Sequence, residues 1–171
     1  AYLVKQHGAT TSWKPMIPLL VVGGAMVSEL FIFRDKDNMG FWFVYFLGSL
    51  AIVAAILLGR RVIAAKLPPL EVLDDIMYRS ISIGFAFFTV ATILGAFWAA
   101  DAWGTYWQWD PKETWAFIVW LNYAAWLHLR LMKGMRGTFA AYWSLVGLVI
   151  TSFAFLGVNI FLSGLHSYGE L

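Results

Sequence analysis

Ser80-Ile-Ser-Ile-Gly-Phe-Ala-Phe-Phe-Thr-Val-Ala-Thr-Ile-Leu-Gly-Ala-Phe-Trp-Ala-Ala100 is an uninterrupted run without a single charge. A bilayer core needs about 20 mainly apolar residues per helical span, so this stretch predicts a transmembrane helix. Working outward, four more stretches read the same way: Met16–Phe33, Gly40–Leu58, Pro111–Leu131 and Ala140–Ser163. The whole chain shares the bias. Hydrophobic residues are 61% and charged residues 13% of it, against about a quarter charged in a typical soluble domain. The expectation is an all-α polytopic membrane bundle of about five transmembrane helices. No separate soluble domain and no repeat is visible. The absence of cysteine excludes disulfides, thiolate metal sites and cysteine nucleophiles. No small-residue cleavage site follows the first apolar run, so a cleavable signal peptide is not expected.

The charges orient this bundle. Net charge is only +2, but its placement is regular. Arg60, Arg61, Lys66 and Arg79 follow the second stretch, and Arg130, Lys133 and Arg136 follow the fourth. Basic loops face the cytoplasm or its equivalent. The N-terminus, with Lys5, His7 and Lys14, falls on that inner side. The balanced Arg34-Asp-Lys-Asp37 loop, the segment Trp103–Trp115 and the C-terminus fall outside. Basic clusters at span ends argue for membrane orientation and against nucleic-acid binding. Between the second and third spans, Leu67–Tyr78 follows Pro68-Pro69 and mixes apolar with acidic residues. It reads either as a short amphipathic helix on the inner surface or as a linker feeding the third span.

The outer segment is the densest signal. Trp103-Gly-Thr-Tyr106-Trp107-Gln-Trp109-Asp110-Pro111-Lys112-Glu113-Thr-Trp115 belongs to a region, Trp98 to Trp120, that holds six of the ten tryptophans. Part of this is ordinary. Aromatic residues gather at membrane interfaces, and Asp110-Pro111-Lys112-Glu113 is a helix-start signature with a capping box. Yet a cap needs no tryptophans, and a belt would spread them over every span. Clustering on one loop suggests a flat, apolar platform for a flat, apolar ligand.

These residues resemble the tryptophan-rich "WWD" signature of haem-handling proteins, in the form found in CcsA/ResC-type cytochrome c synthesis proteins. The flanks extend the resemblance: Leu70-Glu-Val-Leu-Asp74, Tyr78-Arg79-Ser80, Gly84-Phe85, Gly95-Ala-Phe-Trp-Ala99, Leu127-His128-Leu-Arg130, Gly157-Val-Asn159 and Gly164-Leu-His166-Ser-Tyr-Gly169. It is strong from about Leu67 to Gly169 and weak before. It implies three regions: an inner segment 1–15, two spans in 16–66, and an assembly core with three spans in 67–171.

The resemblance also implies a cargo, b-type haem held transiently. Trp103, Tyr106, Trp107, Trp109, Asp110, Lys112 and Trp115 would contact it, Lys112 by meeting a propionate. His166, just past the fifth span, matches the family's outer haem-ligating histidine, and imidazole is a common axial ligand. His128, near the inner end of the fourth span, matches the family's transmembrane histidine. Ionisable residues inside spans are functional candidates by default, although His128 can also reach the inner interface beside Arg130. The second inner ligand would come from a ResB/CcsB-type membrane partner. The family's other outer histidine has no counterpart in Asn38-Met39-Gly-Phe-Trp-Phe-Val-Tyr45-Phe46. Met39 and Tyr45 are the side chains there able to ligate haem iron, with apolar or aromatic packing as the expected role. Glu29, near the outer end of the first span, reads as an interfacial residue or a partner for Arg34.

Two roles follow. In the first, the chain presents haem on the outer face of a bacterial inner or thylakoid membrane, where apocytochrome c takes it up as part of a haem-lyase system. No side chain reads as a dedicated nucleophile or base, so positioning would be its contribution. In the second, it is a non-catalytic accessory subunit on the same scaffold within a respiratory or photosynthetic complex.

Overall fold

The computed structural model describes residues 1–8, 12–21, 23–24 and 39–158. His166, Glu29 and Arg34 lie outside them, and so do the side chains of Met39 and Tyr45. All regular structure among the described residues is helical. The chain divides into two units, Ala1–Asp74 and Asp75–Leu171.

In the first unit, α1 (Tyr2–His7) packs on α3 (Arg60–Lys66), which follows α2 (Met39–Leu58) across Gly59. Gly8 makes the contact close. A Cβ there would lie 2.8 Å from Ala64 Cβ and 2.9 Å from the Arg60 carbonyl oxygen. The Lys5 ammonium donates to the Ala64 carbonyl at 2.9 Å, a favourable cation at a helix C-terminus. The guanidinium of Arg60, itself buried, stacks 3.6 Å from the ring centre of Trp13. Leu67 is extended (ψ 147°), as the residue before a proline must be, and Pro68-Pro69 ends α3.

The next helix, α4, runs without a break from Leu70 to Trp103. From Leu70 on, the Leu67–Tyr78 segment therefore forms the opening turns of this helix and not a separate one, and only Leu67-Pro68-Pro69 is a non-helical connection. The reason is local: once past Pro69 nothing in the sequence breaks a helix, and Leu73 N–H already bonds the Pro69 carbonyl at 3.1 Å.

The second unit packs α4 with α5 (Pro111–Lys133) and α6 (Gly137–Ser152), the last continued by a π-helical turn, Phe153–Gly157. Polar side chains join these helices, as is common in membrane bundles. Trp120 Nε1 donates to Thr89 Oγ1 at 3.0 Å between α5 and α4. Between α5 and α6, Trp143 Nε1 donates to Asn122 Oδ1 and the fully buried Trp126 donates to the Ala140 carbonyl, both at 3.0 Å. Gly147 lets α5 and α6 approach, since a Cβ there would sit 2.7 Å from Asn122 Nδ2 and 3.1 Å from the Tyr123 ring. α5 ends at Gly134 in the left-handed conformation (φ 64°), which glycine adopts without strain.

Two helices among the described residues are long and apolar enough to cross a membrane, Leu70–Trp103 and Gly137–Phe155. At about 1.5 Å per residue, α4 is about 50 Å long, more than a bilayer core requires. Its outward face carries exposed Ile83, Phe87, Val90, Ile93, Leu94 and Phe97, as expected of a surface that meets lipid.

Candidate functional site

The tryptophan loop, residues 104–110, joins α4 to α5. Gly104 (φ 77°) terminates α4. Asp110 starts α5 as the sequence predicts: its carboxylate accepts from Lys112 N–H at 3.0 Å, and Glu113 completes the capping box. Pro111 occupies the first turn, where the missing N–H costs nothing.

Beside this loop lies an open groove of about 300 Å³. Its floor is one face of α4, namely Phe88, Ala91, Thr92, Gly95, Ala96 and Ala99. Trp98, Tyr106 and Trp107 stand on its rim, and Lys112, Glu113 and Ala116 close it from α5. Small residues make the space, and a Cβ added at Gly95 would meet nothing within 4 Å. The lining is almost wholly apolar, with one cation and one carboxylate side by side. Ligand sites commonly pair an apolar pocket with a few polar groups in this way. Phe88 also lines a second cavity of about 250 Å³, with Gly84, Phe85, Val119, Tyr123 and Thr151.

The structure thus brings Tyr106, Trp107 and Lys112 to one groove, and among the described residues the other expected ones do not line it. Trp103 lies edge-on to Trp98, 5.0 Å between ring centres. Trp109, 66% exposed, lies edge-on to Trp107 at 5.9 Å and to Phe117 at 6.2 Å. Asp110 is buried as the cap. Trp115 packs at 4.4 Å on Phe153 of the π-helical turn. His128 is exposed on α5 in one stripe with Phe117, Leu121 and Ala125. Fifteen residues of helix separate it from Glu113, about 22 Å. The stripe lies roughly 165° around the helix from the cavity-lining Lys112, Ala116, Val119 and Tyr123. His128 does not reach the groove. His166 lies outside the described residues.

Residues 19–166 match the family model for the cytochrome c assembly protein. The chain belongs to that family. Within it, the chain is similar to cytochrome c biogenesis protein CcsA. It is 54% identical to the protein from Synechococcus sp. (strain CC9605) over 99 residues, 58% of this chain and 33% of the relative. The Guillardia theta protein is 53% identical over 102 residues, 60% of this chain and 34% of the relative. That from Prochlorococcus marinus (strain MIT 9312) is 54% identical over 99 residues, 58% and 32% of the two chains. The match spans about a third of the length of these curated relatives. No solved structure matches. The expected resemblance is therefore correct for the family and for its CcsA-type branch.

Gly95, Ala96 and Ala99 stand in the sequence as part of the family resemblance, but the sequence does not mark them as site residues, and the structure makes them the floor of the groove. Their spacing over one helical face was a signal, but small residues on a membrane helix serve equally well for helix packing. Nothing short of the fold says that this face stays open beside the tryptophan loop.

Proposed function

We propose that the chain is a haem-handling membrane component of cytochrome c biogenesis, with the groove beside Trp107 as its platform. The observation that carries this reading is the meeting of Tyr106, Trp107 and Lys112 around an apolar groove in a chain of the cytochrome c assembly family. Haem is the cargo. Its flat, apolar macrocycle suits the small-residue floor and the indole rim, and its propionates suit Lys112. A groove of about 300 Å³ is at the small end of ligand sites. It would grip one edge of the macrocycle and leave the other projecting toward apocytochrome c. That suits transfer better than storage.

In this reading the bundle has five spans, with the tryptophan loop and the C-terminus on the outer side of a bacterial inner or thylakoid membrane. His166 supplies an outer iron ligand. His128, on the exposed stripe of α5, forms a separate inner position whose second ligand comes from a ResB/CcsB-type partner. The domain plan of an inner segment, two spans and a three-span core belongs to the same proposal. The chain's own contribution is to hold haem in orientation while its vinyl groups meet the cysteines of apocytochrome c. Positioning of reactants alone can lower a barrier substantially.

The test is the visible spectrum of the protein purified with its partner, beside the Trp107→Ala and His166→Ala variants, with cytochrome c maturation measured in the same cells. Bound haem that falls in both variants, together with lost maturation, is the expected result. A haem-free wild type that still supports maturation would overturn the reading.

A further inference from the structure

Trp109 is the one non-glycine residue with positive φ (57°) among the described residues. That conformation is rare for a bulky side chain and persists only where the surroundings impose it. Here they do. The Gln108 N–H donates to Glu113 Oε2 at 2.8 Å, and the Asp110 N–H donates to the same oxygen at 3.3 Å. On the carbonyl side, Thr114 Oγ1 donates to the Trp109 oxygen at 3.2 Å. A single carboxylate oxygen therefore bridges the residues before and after Trp109. An ordinary capping box needs only the second of these bonds. The bond to Gln108 is additional, and it reaches back into the loop rather than along the helix.

Glu113 is buried and also lines the groove. The consequence for the aromatic rings is specific. Trp107 and Trp109 stand perpendicular, with an interplanar angle of 87°. Both abut the Phe117 ring edge-on, at 6.5 and 6.2 Å. Turning Trp109 to an ordinary backbone conformation would redirect the chain between them and release Trp107 from the groove.

We infer that Glu113 is the positioning residue of the tryptophan platform: it fixes Trp109 in the left-handed conformation and thereby holds Trp107 at the groove. Its relevance to haem rests on the function proposed above; its effect on the loop does not. Two readouts separate them. Hemin titrated into the full chain in detergent reports the groove through its Soret band. The exciton couplet of Trp107 and Trp109, isolated in circular dichroism as the part that Trp109→Phe removes so that the Trp98–Trp103 pair cancels, reports the loop without any ligand.

Glu113→Ala weakens hemin binding about tenfold or more and removes the couplet. Glu113→Gln keeps an acceptor oxygen of the same reach, as glutamine does in capping boxes, and restores both. Gly134→Ala strains the far end of the same helix. It lowers thermal stability and leaves hemin affinity and couplet unchanged. Equal hemin affinity and an intact couplet in Glu113→Ala would overturn the inference. So would a Glu113→Gln variant as impaired as Glu113→Ala, or a Gly134→Ala variant with the same losses. A wild type that takes up no hemin overturns the haem reading alone, and the couplet then decides the role of Glu113.

Discussion

Trp120 and Thr89 face each other across the two helices that wall the groove, the indole N–H of one donating to the hydroxyl of the other at 3.0 Å. Thr89 donates in turn to the Phe85 carbonyl at 2.8 Å, and the Phe85 ring rests against Trp120 at 5.3 Å. Hydroxyl, indole and phenyl ring thus form one joint between α4 and α5. Thr89→Val keeps the shape of the joint and removes the acceptor. An unmatched N–H in apolar surroundings costs about 1–3 kcal/mol. The expected result is a lowered melting temperature in detergent, while Trp120→Phe together with Thr89→Val loses less than the sum of the single changes.

Gly95 offers a test of the groove that leaves the packing alone. Because a Cβ there meets nothing within 4 Å, Gly95→Phe places a ring in the groove without a backbone clash. Phenylalanine also has a better helix propensity than glycine, by roughly a few tenths of a kcal/mol. Hemin affinity should fall about tenfold or more with melting temperature unchanged or raised. Unaltered affinity would place the haem elsewhere.

The tryptophans of the signature should separate into two classes. Trp107 is at the groove, whereas Trp115 is spent on Phe153 at 4.4 Å. Trp115→Ala should cost about 3 kcal/mol through lost packing, seen as a lower melting temperature. Trp107→Ala should cost less stability and more hemin affinity. Titration and melting curves of the two variants, side by side, check the division.

Gly147 is the close point of α5 and α6. Gly147→Leu forces a Cβ to within 2.7 Å of Asn122 Nδ2 and 3.1 Å of the Tyr123 ring, threatening the Trp143–Asn122 bond as well. Overpacking of this kind typically costs about 1–3 kcal/mol. A poorly expressed or early-melting protein is expected. Gly84→Leu, where a Cβ meets nothing within 4 Å, should be tolerated in the same assays.

His128 predicts two separable haem environments. It lies about 22 Å along α5 from Glu113 and on the exposed stripe with Phe117 and Leu121. His128→Ala should therefore leave hemin titration of the groove unchanged in the isolated chain, and should alter the spectrum only of the protein purified with its partner. A shift in the groove titration would mean that the two positions communicate.

The amino-acid sequence by itself determined what depends on neighbours along the chain. Ser80–Ala100 is legible as a membrane helix because a backbone in lipid must satisfy its own hydrogen bonds, and a charge-free run of that length does so only as a helix. Asp110 is legible as a cap because Pro111 and Glu113 follow it at fixed spacing. The family is legible in the tryptophan signature. A boundary expected from polarity is absent: the part of Leu67–Tyr78 from Leu70 on differs from Ser80–Ala100 in polarity, but no residue between them breaks a helix, and α4 runs from Leu70 through both. What only the tertiary structure decided is which tryptophans are available. Trp103, Trp107, Trp109 and Trp115 are alike in sequence. Trp103 and Trp115 do not line the groove and go to ring partners, Trp103 against Trp98 on the rim and Trp115 against Phe153, and Trp107 is left at the groove. Trp109 is set by a carboxylate bond to Gln108, five residues back from Glu113. Once folded, the loop offers two rings, Tyr106 and Trp107, beside an α4 floor made mainly of glycine and alanine. The distinction arises because Phe153, which takes Trp115, and the α4 floor beside Trp107 come from other helices, and no local pattern encodes them.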